Sequence, residues 1–190
     1  TVNAVIGERV LDTGLHTTTP DADAIQRYLR EMVDAGLTHC VLEATSHGLA
    51  QHRVTGCEFD LAVVTNITHE HLDVHGSLEA YRAAKGLLFQ SLASAAHKGL
   101  PKAAILNLDD SSHPYLREWI DQSAASSPNR SAIYTYALCC PADVTALDID
   151  YRPDAIHFTA FMTEGQIEVT SPLVGEFNVS NCLAAITATV

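Results

Sequence analysis

The sequence contains no run of about 20 apolar residues, which is the length a membrane-spanning helix needs. It has no basic excess either: 11 Lys and Arg stand against 23 Asp and Glu, a formal net charge of −12. No basic stripe is available to release counterions from nucleic-acid phosphates, so a nucleic-acid binder is excluded, while a nucleotide ligand needing only local donors is not. The five cysteines form no C-x-x-C pair and no framework spacing. Most read as small buried apolar residues, which places the chain in a reducing cytoplasm. The opening "TVNAVIGERV" lacks the basic and apolar regions of a secretory signal. It also lacks an initiator methionine, so a piece of a longer protein is expected. Internal repeats and low-complexity tracts are missing.

What is present is an alternation of helix and strand patterns over a chain of 190 residues, long enough to bury a core. "DADAIQRYLREMVDAG" predicts a helix, with Asp21 or Asp23 as cap, Ile25, Leu29, Met32 and Val33 as its apolar stripe, and Gly36 at its end. "THCVLEA", "DLAVVTN", "KAAILNL" and "SAIYTY" predict strands. Helices are predicted from Ser77 to about His97 and over "SHPYLREWIDQSAAS". This order implies a mostly parallel α/β sheet with helices on both faces. From residue 144 to residue 171, β-rich runs separated by "RPD" and "EG" predict a small antiparallel sheet. "FNVSNCLAAITATV" then reads as a helix capped by Asn178 or Ser180.

Polar residues follow three of the apolar strand patterns: Thr45, Ser46 and His47; His69, Glu70 and His71; Asp109 and Asp110. In an open parallel sheet these carboxyl ends share one edge, where ligands bind. Glu43 stands within the first of these apolar runs. His69, His71, Asp73 and His75 give H-x-H-x-D-x-H, one residue longer than a common zinc-hydrolase pattern, and "HEHLD" does not fit H-E-x-x-H. A zinc-dependent hydrolase and solvated loop histidines both remain open readings. Leu78, Tyr81, Lys85, Leu88, Phe89 and Leu92 share one helical face. Lys85 there is either a snorkelling side chain or a lysine tuned by burial. A neutral amine would react with carbon dioxide to give a carbamate able to hold Mg²⁺ beside Glu43 and His71.

"TTTPDADAIQ", "LEATSHGLAQHRV", "FDLAVVTNITHEHLDVHGSLEAYRAAKGLLF", "ILNLDD" and "GEFNVSN" occur in the order seen in Mur ligases, and the chain resembles that family over nearly its whole length. Within it the sequence is most like the branch that adds the third residue of the peptidoglycan stem peptide. The resemblance implies a P-loop-NTPase-like central domain over 1–190, with the UDP-binding domain, phosphate loop and C-terminal domain absent. No G-x-x-x-x-G-K-[ST] occurs in this sequence. By position, the resemblance implies that Thr18, Thr19, Thr45, Gln51 and Arg53 contact UDP-N-acetylmuramoyl-dipeptide. Thr45 stands where the family usually has serine. Lys85 matches a lysine that is carbamylated, Glu43 and His71 match Mg²⁺ ligands, and Asn181 and Asn66 match nucleotide-site asparagines. His47, Asp73 and His75 are read as structural. The implied chemistry is ATP-dependent amide formation through an acyl phosphate, with an amino acid supplying the attacking amine. The isolated piece is expected to be inactive and to self-associate. A non-catalytic, ligase-like binding domain is the remaining alternative.

Overall fold

A computed structural model describes residues 3–13, 18–68, 75–125, 127 and 131–190. Apart from a two-stranded antiparallel hairpin, β1 (Asn3–Ile6) and β2 (Arg9–Asp12), the described strands form one six-stranded sheet. Its order is β3 (Leu61–Val64), β4 (Ala103–Asn107), β5 (Ala132–Ala137), β6 (Val144–Tyr151), β7 (Ile156–Met162) and β8 (Gly165–Ser171). β3 through β6 pair in parallel, and β6 through β8 pair antiparallel. The β-rich segment from residue 144 to residue 171 is therefore continuous with the parallel sheet rather than separate from it.

Parallel neighbours need long crossovers. Helix α3 (Leu78–Ser94) supplies one between β3 and β4, and α4 (His113–Ala125) supplies the next between β4 and β5. Both lie on one face, where Tyr81, Leu88, Phe89, Leu92, Leu116 and Ile120 join Ala62, Val64, Ala104 and Leu106 in a buried cluster. Helix α5 (Glu176–Thr187) covers the other face with Val179, Leu183 and Ala184 against Ile105, Tyr136 and Ile156. Alternating β4 residues thus serve opposite cores, which explains why all of β4 is apolar or buried.

The link from β5 to β6 is short, and only Tyr136↔Val144 and Ala137↔Thr145 pair across it. β6 starts beside the end of β5 and runs on beyond it. Asp143 closes the loop by accepting from the Thr135 amide (2.8 Å) and hydroxyl (2.7 Å). A register shift between Leu147 and Asp150, with Asp148 at φ +54°, then bends β6 within its antiparallel ladder.

Several expectations change. Residues 38–44 form no strand; Val41 in their midst is 99 % exposed. An apolar run becomes a strand only when a neighbour supplies its ladder, and no described strand pairs with this one. The cap of α5 is Gly175 at φ +95°, not Asn178 or Ser180, because the helix starts at Glu176 and encloses both. Helix α1 (Ala22–Asp34) begins after Asp21, whose side chain makes no capping bond, and Gly36 follows its end at φ +77°. Among the cysteines Cys57 is buried, Cys140 and Cys182 are half-buried, and Cys40 and Cys139 are exposed. The burial expected of most of them fails because Cys40, Cys139 and Cys140 fall on irregular chain rather than on core-facing helix or strand positions.

Helices α3 and α4 meet at Gly86, where an added Cβ would stand 2.5 Å from Trp119 Cδ2. Gly86→Ala would gain up to about 1 kcal/mol of helix propensity. Overpacking against a ring costs about 1–3 kcal/mol, so a net loss is expected. Trp119 is the single tryptophan, and its emission followed through urea unfolding reports the midpoint. A midpoint raised by the substitution would contradict this packing.

Candidate functional site

The carboxyl ends of β3, β4 and β5 meet at one sheet edge, and a short turn organises it. Asn107 Nδ2 donates to the Thr65 carbonyl (2.9 Å), and Tyr136 Oη donates to the same oxygen (3.3 Å). Asp110 Oδ2 accepts from the Ile67 amide (2.6 Å), and its Oδ1 accepts from the Ser112 amide (2.7 Å). The exposed Asn66 is therefore flanked by backbone groups pinned on both sides. Asp109 accepts from the Leu138 amide (2.6 Å) and the Cys139 amide (3.1 Å), which fixes the exit of β5. Burial pushes the Tyr136 phenol upward, keeping it a neutral donor. Sequence reasoning gave Asn107 and Tyr136 no role and placed Asp109 and Asp110 at this edge only as polar residues after a strand; the N-x-D-D order was the available signal.

A second network joins four of the predicted substrate residues. The Thr19 hydroxyl donates to the Glu43 carbonyl (3.0 Å) and accepts from the Thr45 amide (2.9 Å). The Thr45 hydroxyl lies 3.0 Å from it and caps helix α2 (Ser46–Ala50) by accepting from the Gly48 amide (3.0 Å). Arg53 Nη1 donates to the Thr19 carbonyl (2.8 Å), and its Nε donates to Gln51 Oε1 (2.9 Å). Thr19 is 1 % exposed, so its hydroxyl acts inside the protein. Gly48 is packed on it: an added Cβ there would sit 2.8 Å from Thr19 Cβ. Thr18 and Arg53 are half-buried, and Gln51 is exposed.

Lys85 is half-buried on α3. Desolvation lowers its pKa from the ordinary lysine value, and the charge of Glu43 offsets part of that effect. The donor set suits a cation site: Glu43 is an exposed carboxylate, and burial favours the neutral amine that carbamate formation requires. His71, the third predicted ligand, lies outside the described residues, as do His69 and Asp73. His75 is described. Its Nε2 is 2.9 Å from Ser46 Oγ, and its ring lies 5.3 Å from Tyr81, stacked, and 5.2 Å from His47. These contacts give His75 and His47 a packing role beside Tyr81, which lies one helical turn before Lys85 on α3. Among the described residues no group of three or more His, Cys, Asp and Glu could hold a metal ion. Asn181 is exposed on α5, where its Nδ2 donates to Asn178 Oδ1 (3.3 Å).

The profile of the Mur ligase middle domain matches residues 1–189. The chain belongs to the Mur ligase family. It is 39% identical over 193 residues to the UDP-N-acetylmuramyl-tripeptide synthetase of Roseiflexus sp. (strain RS-1), covering 98% of this chain and 36% of that protein. A UDP-N-acetylmuramoyl-L-alanyl-D-glutamate–2,6-diaminopimelate ligase of Synechocystis sp. (strain ATCC 27184 / PCC 6803 / Kazusa) is 41% identical over 175 residues, covering 92% of this chain and 32% of its own. A solved structure of a UDP-N-acetylmuramoyl-L-alanyl-D-glutamate–2,6-diaminopimelate ligase superposes with a TM-score of 0.76 at 37% identity, over 95% of this chain and 35% of that one. The MurF ligase of Thermotoga maritima, solved with ADP, shares the fold at a TM-score of 0.57 and 15% identity, over 85% of this chain and 35% of its own. The chain spans about a third of the length of these relatives.

Thr19→Val keeps the shape of the side chain but removes the hydroxyl that accepts from the Thr45 amide and donates to the Glu43 carbonyl. A loss of about 1–3 kcal/mol in urea unfolding is expected. Thr19→Ser, which keeps the hydroxyl, should lose less. Equal stability of the two variants would contradict the clamp.

Proposed function

We propose that this chain is the ATP-handling middle domain of a cytoplasmic ligase that adds the third amino acid to UDP-N-acetylmuramoyl-dipeptide in peptidoglycan synthesis. The observation that carries this reading is a half-buried lysine on α3 whose ammonium is desolvated and only partly compensated by the charge of Glu43. The sequence relatives support the substrate class. The UDP-binding domain, the phosphate loop and the amino-acid-binding domain would come from elsewhere in the ligase.

In this reading ATP phosphorylates the acceptor carboxylate, the incoming amine attacks the acyl phosphate, and phosphate leaves as the amide forms. Reacting anions must be brought together, so the site has to supply positive charge. Mg²⁺, held by Glu43, His71 and the Lys85 carbamate, would supply that charge. Carbamate formation joins the neutral Lys85 amine to carbon dioxide with loss of one proton, and it turns an ill-placed cation into an anion. Burial of Lys85 favours the reactive neutral form.

Thr18, Thr45, Gln51 and Arg53 would hold the muramoyl-dipeptide, with the Arg53 guanidinium offering a planar fork to a carboxylate or phosphate. Thr19, being buried, positions Glu43 and Thr45 instead of touching the substrate. Asn66 and Asn181 would approach the nucleotide. Exposed Val33, Leu37 and Val41 support self-association of the isolated chain.

The test is Lys85→Ala in the ligase that carries this chain. Turnover should fall on the order of a hundredfold or more. Added short carboxylic acids should restore part of it by filling the vacated space with an anion. Near-normal turnover of the variant would make Lys85 a snorkelling side chain and overturn the mechanism.

A further inference from the structure

We propose that Cys139 and Cys140 form a dithiol modification site at the carboxyl edge of β5, taking small disulfide oxidants and closing to a reversible vicinal disulfide. This goes beyond the ligase reading and does not depend on it. The thiols sit next to each other in the sequence on the loop joining β5 to β6. Cys139 is exposed and Cys140 half-buried. Asp109 holds the pair: it accepts from the Cys139 amide at 3.1 Å, and its Oδ1 lies 3.8 Å from Cys140 Sγ.

The arrangement divides the labour between the thiols. Desolvation, together with the charge of Asp109, keeps Cys140 protonated above the ordinary thiol range. Cys139, open to solvent, is the sulfur that meets an oxidant first. Its thiolate attacks one sulfur of R–S–S–R; that bond breaks, and RS⁻ departs with the proton Cys139 has shed. Cys140 then attacks Cys139 Sγ and passes its proton to the Asp109 carboxylate. The second RS⁻ leaves and takes that proton. Two protein thiols are oxidised, and one small disulfide is reduced to two thiols.

Adjacent Cα atoms are about 3.8 Å apart, short of the roughly 4.4–6.8 Å that disulfides usually span. The ring is therefore strained and readily reduced, as in labile rather than structural disulfides. Closing it also removes the thiol donor from Asp109. Asp109 adjoins Asp110, which pins Ile67 beside Asn66, so oxidation would loosen the ligand edge.

The experiment treats the folded chain with oxidised glutathione and maps its peptides without reduction. The expected product has lost two hydrogens across the peptide holding Cys139 and Cys140, retains no glutathione there, and reverts with dithiothreitol. Cys140→Ser should trap glutathione on Cys139, and Cys139→Ser should leave Cys140 unmodified. Asp109→Asn should slow ring closure several-fold while leaving capture at Cys139 unchanged. Two results would overturn the proposal: glutathione retained on Cys139 of the wild-type chain, or no reaction there while exposed Cys40 is thiolated. Unchanged closure in Asp109→Asn would remove Asp109 from it.

Discussion

Parallel strands end with backbone groups that no ladder can satisfy, and they all end at the same edge. Everything placed at that edge here depends on how those groups are met. The turn from Asn107 to Asp110 meets them: Asn107 and Tyr136 share the Thr65 carbonyl, Asp110 takes the Ile67 amide, and Asp109 takes the amides of Leu138 and Cys139. One turn thus fixes the exits of two neighbouring strands as well as its own. Because buried side-chain donors and acceptors are costly to leave unpaired, the arrangement is tightly specified.

On the side of the site built from Glu43 and α2, the same logic runs through Thr19. Its buried hydroxyl ties Glu43 and Thr45 together, and Arg53 holds its carbonyl. Residues 38–44 have no ladder of their own, so Glu43 is placed by this clamp rather than by a sheet. On α3, Lys85 is desolvated, and the charge of Glu43 compensates it only in part. The site therefore combines two rigidly held walls with one ionisable group whose charged form is disfavoured. Such a group is suited to chemistry that consumes a neutral amine.

Much of this could be read beforehand. The periodicity of α3 placed Lys85 half inside, and two of the three apolar runs that end in polar residues became β3 and β4, which share one sheet edge. Family motifs supplied the fold. What escaped was what depends on partners distant in sequence. "THCVLEA" has the composition of a strand, but composition cannot say whether a neighbour supplies hydrogen bonds. The burial of Thr19 was hidden as well, because nothing in "TTTP" reveals which hydroxyl turns inward. Gly175 capping α5 was hidden behind better capping residues, Asn178 and Ser180, that the helix had already absorbed. The cysteines were judged by type, and the loop that exposes Cys139 arises from the short β5–β6 connection.

The claim at the centre is that Lys85 is held where its ammonium is poorly solvated. In the folded chain its pKa lies below that of the unfolded chain, so the unfolded state binds more protons between the two values. The charged lysine therefore opposes folding fully below the folded-state pKa, and that opposition fades as pH rises toward the unfolded value. The direct measurement is urea unfolding of wild type and Lys85→Met from about pH 6 to about pH 10. Lys85→Met should be the more stable near neutrality, with the difference shrinking as the pH climbs. A pH-independent difference, or a wild-type chain more stable than the variant near neutrality, would contradict the account.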